Sequence, residues 1–383
     1  MSEVQNILSK LISFDTVSRN SNLKLISYIQ DYLSGFGISS RLVENDDKSK
    51  ANLYATIGPN IAGGVILSGH TDVVPIDDQD WDTDAFTLTE KDGKYFGRGT
   101  CDMKGFIAIC LAAVPNVLAA DLKRPIHLYF SYDEEIGCIG AVELVNEIVK
   151  HLPPVEAVIV GEPTNMQVAN LHKGVAAYMT RVTGVEAHSS KTNLGISANL
   201  AAAKLIHFLS DLLDEFKLNP QKNLTSLIPN HNTLNVGLLK GGTALNILPR
   251  SCEFSLDIRT LPSDNPEKYM DQYRAYARKI EKQMQAEFEI ANIEISTSAK
   301  APGLIPEPNG NAERLALNLS SNNKTIAVAY GTEAGLFQRA GYSTIVCGPG
   351  SIDQAHKPNE FIEISQIEKG EIFIEKLINR VAN

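Results

Sequence analysis

The residues best suited to chemistry in this chain are histidines and carboxylates that follow predicted β-strands. His70 and Asp72 come directly after the apolar run Val65-Ile66-Leu67, which predicts a short buried strand. Because a histidine that binds a metal usually donates its second ring N–H to a carboxylate, Asp72 is suited to orient His70. A hydrogen-bonded structural pair explains the same spacing without a metal. The stretch 68–72 therefore indicates either the first part of a metal site or a structural histidine.

More carboxylates and one more histidine occupy corresponding places further along the chain. They follow a glycine-rich turn, two later apolar runs and the last predicted strand, at Asp102, Glu134, Glu135, Glu162 and His356. Open α/β sheets gather such residues at the carboxyl ends of their strands. Imidazole and carboxylate ligands suit zinc or a similar metal, and this number suits two metals that share one carboxylate. Taken singly, each carboxylate is also explained as a solvated turn residue or a helix N-cap.

Composition narrows the classes of protein to which the chain can belong. Its 383 residues are 43% hydrophobic, which is enough for two domains and a large core. The net charge of −10 and the absence of a basic cluster argue against nucleic acid as a partner. Five scattered cysteines without a C-x-x-C pair favour the reducing cytoplasm. No signal peptide is apparent and no apolar run approaches about 18 residues, so we expect neither export nor membrane insertion.

The elements that must position these residues alternate between strands and helices in the first half of the chain. After two amphipathic helices, strands are predicted at 52–57, 126–132 and 155–160, and helices at 106–118 and 140–149. This order is typical of βαβ units with right-handed crossovers. It predicts an α/β fold with a mixed, largely parallel sheet flanked by helices.

From about residue 175 the pattern changes to long alternating segments. Strands are predicted at 177–185, 233–239, 251–260 and 287–298, with helices at 197–216 and 266–284. These segments indicate an antiparallel sheet with helices on one face. Strand and helix alternation then resumes, and a last helix is predicted at 366–381. We therefore expect a discontinuous catalytic domain, residues 1–175 and 299–383, and an inserted α+β domain, residues 176–298.

Five ordered motifs resemble the di-zinc aminoacylase and carboxypeptidase family. They are SGHTDVVP at 68–75, GRGTCDMKG at 97–105, DEEIGCIGA at 133–141, GEPT at 161–164 and GPGSIDQAHKP at 348–358. Shorter matches, among them AHSS at 187–190, DIRTLP at 257–262 and YGTEAGLF at 330–337, extend the resemblance over essentially the whole chain. The resemblance implies a zinc-peptidase-like catalytic domain and an inserted domain that serves as a dimerisation domain or lid.

The resemblance also implies a complete ligand set for two divalent metals. Asp102 matches the ligand that bridges them. His70 and Glu162 match the pair on one metal, and Glu135 and His356 match the pair on the other. Zinc is the metal that the family implies, although carboxylate and imidazole ligands also accept cobalt and manganese.

Three further residues match catalytic roles in the family. Glu134 matches the general acid and base, which takes a proton from the attacking water and passes it to the leaving amine. Asp72 matches the partner that orients His70. His188 matches a histidine of the inserted domain, often supplied by the partner subunit, that stabilises the oxyanion. This match implies a homodimer, although a capping histidine at a strand end explains His188 equally well.

The resemblance implies an N-acyl amino acid as the small-molecule substrate. Arg259 is the best-matched candidate for its α-carboxylate, because guanidinium can bind a carboxylate through two hydrogen bonds. Lys173 and Asn246 are further candidates. Thr332 and Glu333 match the substrate-side wall, where Glu333 is suited to a side-chain amine. A solvated arginine, and a glutamate that a helix dipole favours, explain the same residues without a substrate.

Within the family, the resemblance points to hydrolysis of N2-acetyl-L-ornithine to L-ornithine and acetate, a step of arginine biosynthesis. Amidases of the family that act on N-succinyl-diaminopimelate, N-acetylcitrulline or a broader set of N-acyl amino acids and dipeptides are alternatives. A non-catalytic binding protein of the same fold is a third reading. That reading predicts the loss of at least one ligand or of the general base, and none is missing in this sequence.

Overall fold

The alternation of strands and helices in the first part of the chain builds one of two structural units in the computed structural model, which describes residues 2–224 and 226–383. Unit 1 consists of Met1–Leu171, Leu304–Ala327 and Thr332–Asn383. Unit 2 consists of His172–Gly303 and Val328–Gly331. The catalytic and dimerisation roles expected for the two parts of the chain remain predictions.

The helices and strands are numbered in chain order. Up to residue 172 they are α1 (Glu3–Ile12), α2 (Leu23–Gly35), β1 (Ser40–Glu44), β2 (Ala51–Ile57), β3 (Val65–His70), β4 (Thr89–Lys91), β5 (Lys94–Phe96), α3 (Lys104–Ala112), α4 (Val114–Ala119), β6 (Ile126–Ser131), α5 (Ile139–His151), β7 (Ala157–Pro163) and β8 (Ala169–His172). They continue with β9 (Gly174–Thr183), α6 (Ala198–Leu218), β10 (Thr233–Gly241), β11 (Ser251–Thr260), α7 (Pro266–Gln285) and β12 (Asn292–Ala301). The last are α8 (Asn311–Ser320), β13 (Ile326–Val328), α9 (Ala334–Arg339), β14 (Thr344–Gly348), β15 (Phe361–Glu363) and α10 (Ile364–Ala382).

Unit 1 is organised around an eight-stranded sheet in the order β1-β2-β6-β3-β7-β14-β8-β13. Its central strands β6, β3, β7 and β14 run parallel to one another. Strands β1 and β2 are antiparallel to their neighbours, as is β8 beside β14. The predicted mixed, largely parallel sheet is confirmed, and the carboxyl ends of its central strands lie along one edge.

Helices cover both faces of this sheet. In β3, Val65 and Leu67 join a core that also contains residues of α1, α3, α8 and α10. Helices α5 and α9 contact strands β2, β6, β7 and β14 and lie outside that core, which places them on the opposite face. Every residue of β3 is buried, as expected for a strand covered on both sides. The strand therefore delivers its last residue, His70, into a protected site.

Unit 2 contains a four-stranded antiparallel sheet in the order β10-β11-β9-β12. Alternate residues of β9 and β11 are buried, and they share one core with apolar residues of α6 and α7. This alternation confirms the predicted antiparallel sheet with helices on one face. In the described part of the chain, no helix is both long and apolar enough to cross a membrane.

Most predicted elements match the structure to within about three residues at each end, and two differ more. The helix predicted at 106–118 is divided into α3 and α4, with Ala113 between them, because Pro115 cannot donate a helical hydrogen bond and belongs in a first turn. The strand predicted at 287–298 begins only at Asn292. Residues 287–291 instead form a turn, in which Phe288 N–H donates to Met284 O at 2.9 Å.

Candidate metal centre

The strand ends of unit 1 bring five predicted ligands together. His70 ends β3, Glu162 lies near the end of β7, Glu135 follows β6, Asp102 precedes α3 and His356 follows β14. Ligand atoms of His70, Asp102 and Glu162 lie within 4.8 Å of one another, and so do ligand atoms of Asp102, Glu135 and His356. Asp102 thus belongs to two groups of potential ligands at once.

The two carboxylate oxygens of Asp102 face different histidines. Asp102 Oδ1 lies 3.0 Å from His70 Nε2, and Asp102 Oδ2 lies 3.5 Å from His356 Nε2. Each histidine also lies close to a second carboxylate. Glu162 Oε1 lies 3.6 Å from His70 Nε2, and Glu135 Oε2 lies 3.0 Å from His356 Nε2. A carboxylate that bridges two metals needs this disposition of its oxygens.

The electrostatics of the centre fit bound cations. The buried Oε1 atom of Glu135 has no hydrogen-bond partner among the described residues. Burial, and then the charge of Asp102, raises the pKa of the Glu135 and Glu162 carboxyls. Buried carboxylates in mutual repulsion and an acceptor without a donor are both unfavourable unless a cation is present. Since the donors are imidazole nitrogen and carboxylate oxygen, the residues fit zinc or a similar divalent metal.

Asp72 contacts both His70 and the turn that carries Glu134 and Glu135. Its carboxylate accepts the backbone N–H groups of Glu134 and Glu135 at 3.0 and 3.2 Å and the Ser18 hydroxyl at 2.7 Å. His70 Nδ1 lies 3.0 Å from the main-chain oxygen of Asp72 but 3.5 Å from the carboxylate. With Nε2 of His70 directed at the ligand group, Nδ1–H donates to that main-chain oxygen. The carbonyl of Asp72 therefore orients His70, and its carboxylate orients the 134–135 turn.

Glu134 is buried beside the two ligand groups and belongs to neither of them. Its Oε1 atom accepts the Cys138 thiol at 3.2 Å. Burial raises the pKa of Glu134 to about 8, with the carboxylates of Glu135 and Asp72 adding to the rise and His70 opposing it. A carboxyl group that titrates near neutral pH is suited to accept and return a proton.

An ion pair between Lys50 and Asp133, which supports Glu134, was not predicted from the sequence. Asp133, immediately before it, has a left-handed backbone with φ of 54°. The Lys50 ammonium binds the Asp133 carboxylate at 2.6 Å and also donates to Ser18 O. Lys50 lies 83 positions from Asp133 in the sequence. No local sequence pattern predicts that a single lysine pairs with a turn so far away. The pair fixes the main chain from which Glu134 projects.

Comparison with known proteins decides the family. The family model described as Peptidase family M20/M25/M40 matches residues 66–380, a range that contains all five predicted ligands. The chain belongs to this family. Acetylornithine deacetylase of Pasteurella multocida is 34% identical over 376 residues, which cover 96% of this chain and 94% of that relative. The chain is therefore an M20 hydrolase of a metal-dependent family, and its two ligand groups are candidates for the metal site.

Solved structures support the fold of this M20 hydrolase. An M20 family metallo-carboxypeptidase from Sulfolobus solfataricus superposes with a TM-score of 0.80 at 20% identity, covering 100% of this chain and 99% of that one. A dinuclear metal-binding M20 peptidase from Bacillus subtilis gives a TM-score of 0.65 at 15% identity, covering 99% of this chain and 97% of that one. At these identities the likeness shows the shared fold.

Glu333 and Thr332 of the M20 hydrolase are buried, and their predicted place in the substrate-side wall stays a prediction. Glu333 is 1% exposed, and its two carboxylate oxygens accept the hydroxyls of Ser68 and Ser131 at 2.6 and 2.7 Å. Thr332 is fully buried, and its hydroxyl oxygen accepts the N–H of Ala334 at 3.0 Å. Both carboxylate oxygens of Glu333 are thus engaged within unit 1. Glu333 therefore links β3 to the end of β6.

The predicted oxyanion residue His188 and the substrate candidate Asn246 lie on adjoining segments of unit 2. His188 pairs with Ile247 in an antiparallel bridge, and Ser189 N–H donates to Asn246 O at 2.9 Å. His188 and Asn246 are both exposed. The ring Nδ1 of His188 lies 2.8 Å from the Ser190 hydroxyl, which leaves Nε2 directed away from that contact. The pairing holds His188 and Asn246 next to each other.

The two predicted cations of unit 2 are also neighbours. Lys173 is buried, its ammonium donates to His231 O at 2.7 Å, and burial together with the charge of Arg259 lowers its pKa to about 8. Arg259 lies on β11, where its Nε donates to the Asp257 carboxylate at 3.1 Å and its side chain remains 36% exposed. Because the two positive charges repel each other, an anion bound near them would be favoured.

Proposed function

We propose that this M20 hydrolase deacetylates N2-acetyl-L-ornithine, giving L-ornithine and acetate in arginine biosynthesis. The reaction class rests on one observation: a buried glutamate, Glu134, stands beside two ligand groups that share Asp102. The choice of substrate rests on the similarity, over nearly the whole chain, to a relative named acetylornithine deacetylase. Other amidases of the family act on related amides, and a substrate comparison separates them.

In this proposal, the two ligand groups hold one divalent ion each. His70, Glu162 and Asp102 would hold the first, and Glu135, His356 and Asp102 the second. When bound, the two ions would lower the pKa of a water molecule, polarise the amide carbonyl and offset the repulsion among the buried carboxylates. Zinc suits these ligands, and cobalt or manganese also fits. The dinuclear site named for the Bacillus subtilis neighbour supports the count of two.

Glu134 performs the proton transfers. It accepts a proton from the water whose oxygen adds to the carbonyl carbon, and it donates that proton to the amine as the C–N bond breaks. The water thus supplies its oxygen to acetate, and the amine leaves as the free amino group of ornithine. Two contacts hold Glu134 in place between these two proton transfers. The Asp72 carboxylate accepts its backbone N–H, and the Cys138 thiol donates to its carboxylate.

Residues of unit 2 bind the substrate in this scheme. Arg259, with Lys173 beside it, receives the α-carboxylate, and Asn246 contributes a further polar contact. His188 donates to the oxyanion that forms on the amide oxygen. We propose that the chain is a homodimer through unit 2 and that His188 serves the site of the partner subunit.

The variant Glu134→Gln tests the reaction class. Glutamine keeps the size of the side chain but cannot accept the proton, so the rate of acetate release from N2-acetyl-L-ornithine should fall about 10²–10⁴-fold. Because Glu134 is not a ligand, the metal content of the variant should stay near that of the wild type. Rates and metal content are measured on the same zinc-loaded preparations.

Glu143→Gln is the matched control. Glu143 lies on α5 and accepts the Tyr132 hydroxyl at 2.9 Å, and its replacement should leave the rate near that of the wild type. If Glu134→Gln kept most of its activity, Glu134 would not be the general base and the proposed mechanism would fail.

A further inference from the structure

Glu360 is a buried carboxylate outside both ligand groups, and it binds the loop that carries Asp102. Its Oε1 atom accepts the N–H groups of Cys101 and Asp102 at 2.9 and 3.1 Å. Its Oε2 atom accepts the N–H of Gly99 at 3.0 Å and the Arg98 guanidinium at 2.8 Å. Glu360 and Arg98 are at most 1% exposed. One side chain thus satisfies three backbone donors of the loop and pairs with a buried cation.

The same network reaches the main chain of a second ligand, His356. The other end of the Arg98 guanidinium, Nη2, donates to Gln79 Oε1 at 2.6 Å. The amide nitrogen of Gln79 in turn donates to the main-chain oxygen of His356 at 3.1 Å. The hydrogen bonds from Glu360 through Arg98 to Gln79 therefore connect the backbones of two ligands, Asp102 and His356, that are far apart in sequence.

Neither of these ligands is held by a helix or a strand. Asp102 lies in a loop with Gly99 at φ of 85°, and His356 has a left-handed φ of 63°. A loop in such a conformation lacks the ladder hydrogen bonds that fix a strand end such as His70. Charge-assisted hydrogen bonds to a buried carboxylate are the strongest means in this region of holding the loop backbone.

We infer that Glu360, Arg98 and Gln79 are positioning residues that set the affinity of the metal site formed by Asp102, Glu135 and His356. This inference rests on the two-metal site of the proposed function. Contacts behind metal ligands typically change metal affinity by about 10–100-fold when they are removed. Of the two ligand backbones, Gln79 contacts only that of His356, whereas Glu360 contacts that of Asp102, which both sites share. The two residues should therefore have different effects on the two bound ions.

The single tryptophan of the chain reports on this network. The Trp81 ring lies 5.1 Å from the Arg98 guanidinium carbon, and its indole N–H donates to Gln79 Oε1 at 3.2 Å. A change in the position of Gln79 alters the surroundings of the indole. Binding of metal at the His356 site should therefore change the fluorescence of Trp81 without any substrate being present.

The test is a zinc titration of the full chain after removal of metal, measured by competition with a chromophoric chelator and by Trp81 fluorescence. Gln79→Ala should weaken the binding of one zinc equivalent about 10–100-fold, leave the other near its wild-type affinity and reduce the change in Trp81 emission. Glu360→Gln puts an NH2 group against backbone donors, and it should weaken both equivalents. If Glu360→Gln fails to fold, Gln79→Ala decides alone.

Glu156→Gln is the matched control, because Glu156 also pairs with an arginine of unit 1, Arg124, at 2.9 Å but lies outside the network. Its zinc affinities should equal those of the wild type. If the wild type binds two zinc ions and Gln79→Ala binds both with unchanged affinity, the inference is overturned, whatever happens to thermal stability. If the wild type itself fails to bind two ions, the proposed metal site is wrong. This outcome is read from the wild type alone and is therefore distinct from a failure of the inference.

Discussion

His127 is a buried imidazole that resists protonation in the folded chain. It lies on β6, is 1% exposed, and its Nδ1 atom is 2.9 Å from the Thr56 hydroxyl. Its Nε2 atom has no hydrogen-bond partner among the described residues. Burial lowers the pKa of His127 from its ordinary value of 6.5 to about 4. The neutral ring is thus part of the folded state, and its charged form is not.

This shift predicts a loss of stability in mild acid. As the pH falls from about 6.5 to about 4, the unfolded chain binds a proton on His127 that the folded chain does not, so the free energy of unfolding falls by up to roughly 3 kcal/mol. His127→Asn removes the titrating group, and the fall should be correspondingly smaller. The measurement is urea unfolding of both proteins between pH 4 and pH 7 with chelator present.

His207 supplies the control for this experiment. It is an exposed histidine of α6 with a side chain that is 77% accessible, so His207→Asn should reproduce the pH dependence of the wild type. If the free energy of unfolding of His127→Asn changed with pH as that of the wild type does, burial of this imidazole would not contribute to acid sensitivity.

At the scale of single residues, the sequence predicted side chains that share a strand end and missed contacts between distant segments. His70, Glu135 and Glu162 follow apolar runs, so their common edge of the sheet follows from βαβ order alone. The contacts of Glu360 with the Asp102 loop span 258 residues or more. Since no local pattern encodes such a pairing, only the folded chain reveals it. The burial of Glu333 between two serine hydroxyls was likewise not predictable, because Ser68 and Ser131 lie 265 and 202 positions away from it in the sequence.

Helix α3 approaches the sheet through a glycine, and this approach places the Asp102 loop. A Cβ atom at Gly161, in β7, would collide with the ring of Phe106 in α3. Phe106 is buried in the main core of unit 1, where neighbouring side chains leave it little room to move. The absence of a side chain at Gly161 therefore allows the close packing that sets Asp102 beside Glu162.

Gly161→Ala should accordingly destabilise unit 1. Overpacking of a filled core typically costs about 1–3 kcal/mol, and a shift of Glu162 would also weaken metal binding. Gly35→Ala is the control, because a Cβ at this last residue of α2 would meet nothing within 4 Å and should change stability by less than about 1 kcal/mol. Chemical unfolding of both variants measures the difference. Equal stabilities would show that α3 adjusts freely.

At the scale of elements, the long periodic segments were predictable and the short or interrupted ones were not. Strand β11 was predicted at its observed bounds, since a ten-residue alternation leaves one interpretation. Strand β15, with three residues, is too short for a periodic signal. It pairs with β5 through contacts between distant parts of the chain. The break between α3 and α4 was signalled by Pro115, which the apolar run around it obscured.

The whole molecule has two units, and the proposed reaction needs residues of both. The metal ligands and Glu134 belong to unit 1, whereas His188 and Arg259 belong to unit 2. The sequence indicated this division through the change from βαβ order to alternating segments near residue 175. Only the resemblance suggested that a partner subunit supplies His188, and this part of the prediction stays open.

Mixed dimers test whether His188 acts in the partner subunit. Chains carrying Glu134→Gln and chains carrying His188→Ala should each be nearly inactive alone. In a dimer of the two, one site combines the intact Glu134 of one chain with the intact His188 of the other. Equal mixing gives about half mixed dimers, so activity should recover to about a quarter of the wild-type value. Co-expressed, differently tagged chains provide the sample, and no recovery would mean that His188 acts within its own chain or not at all.

The proposed function makes N2-acetyl-L-ornithine the preferred substrate of this M20 hydrolase. The most direct test is the ratio of kcat/KM for this compound to kcat/KM for N-succinyl-diaminopimelate, measured with one zinc-loaded preparation. We expect acetylornithine to be preferred by at least about tenfold, because such a site would be built for one acyl group and one side chain. Faster turnover of the succinyl compound, or no release of ornithine, would contradict it.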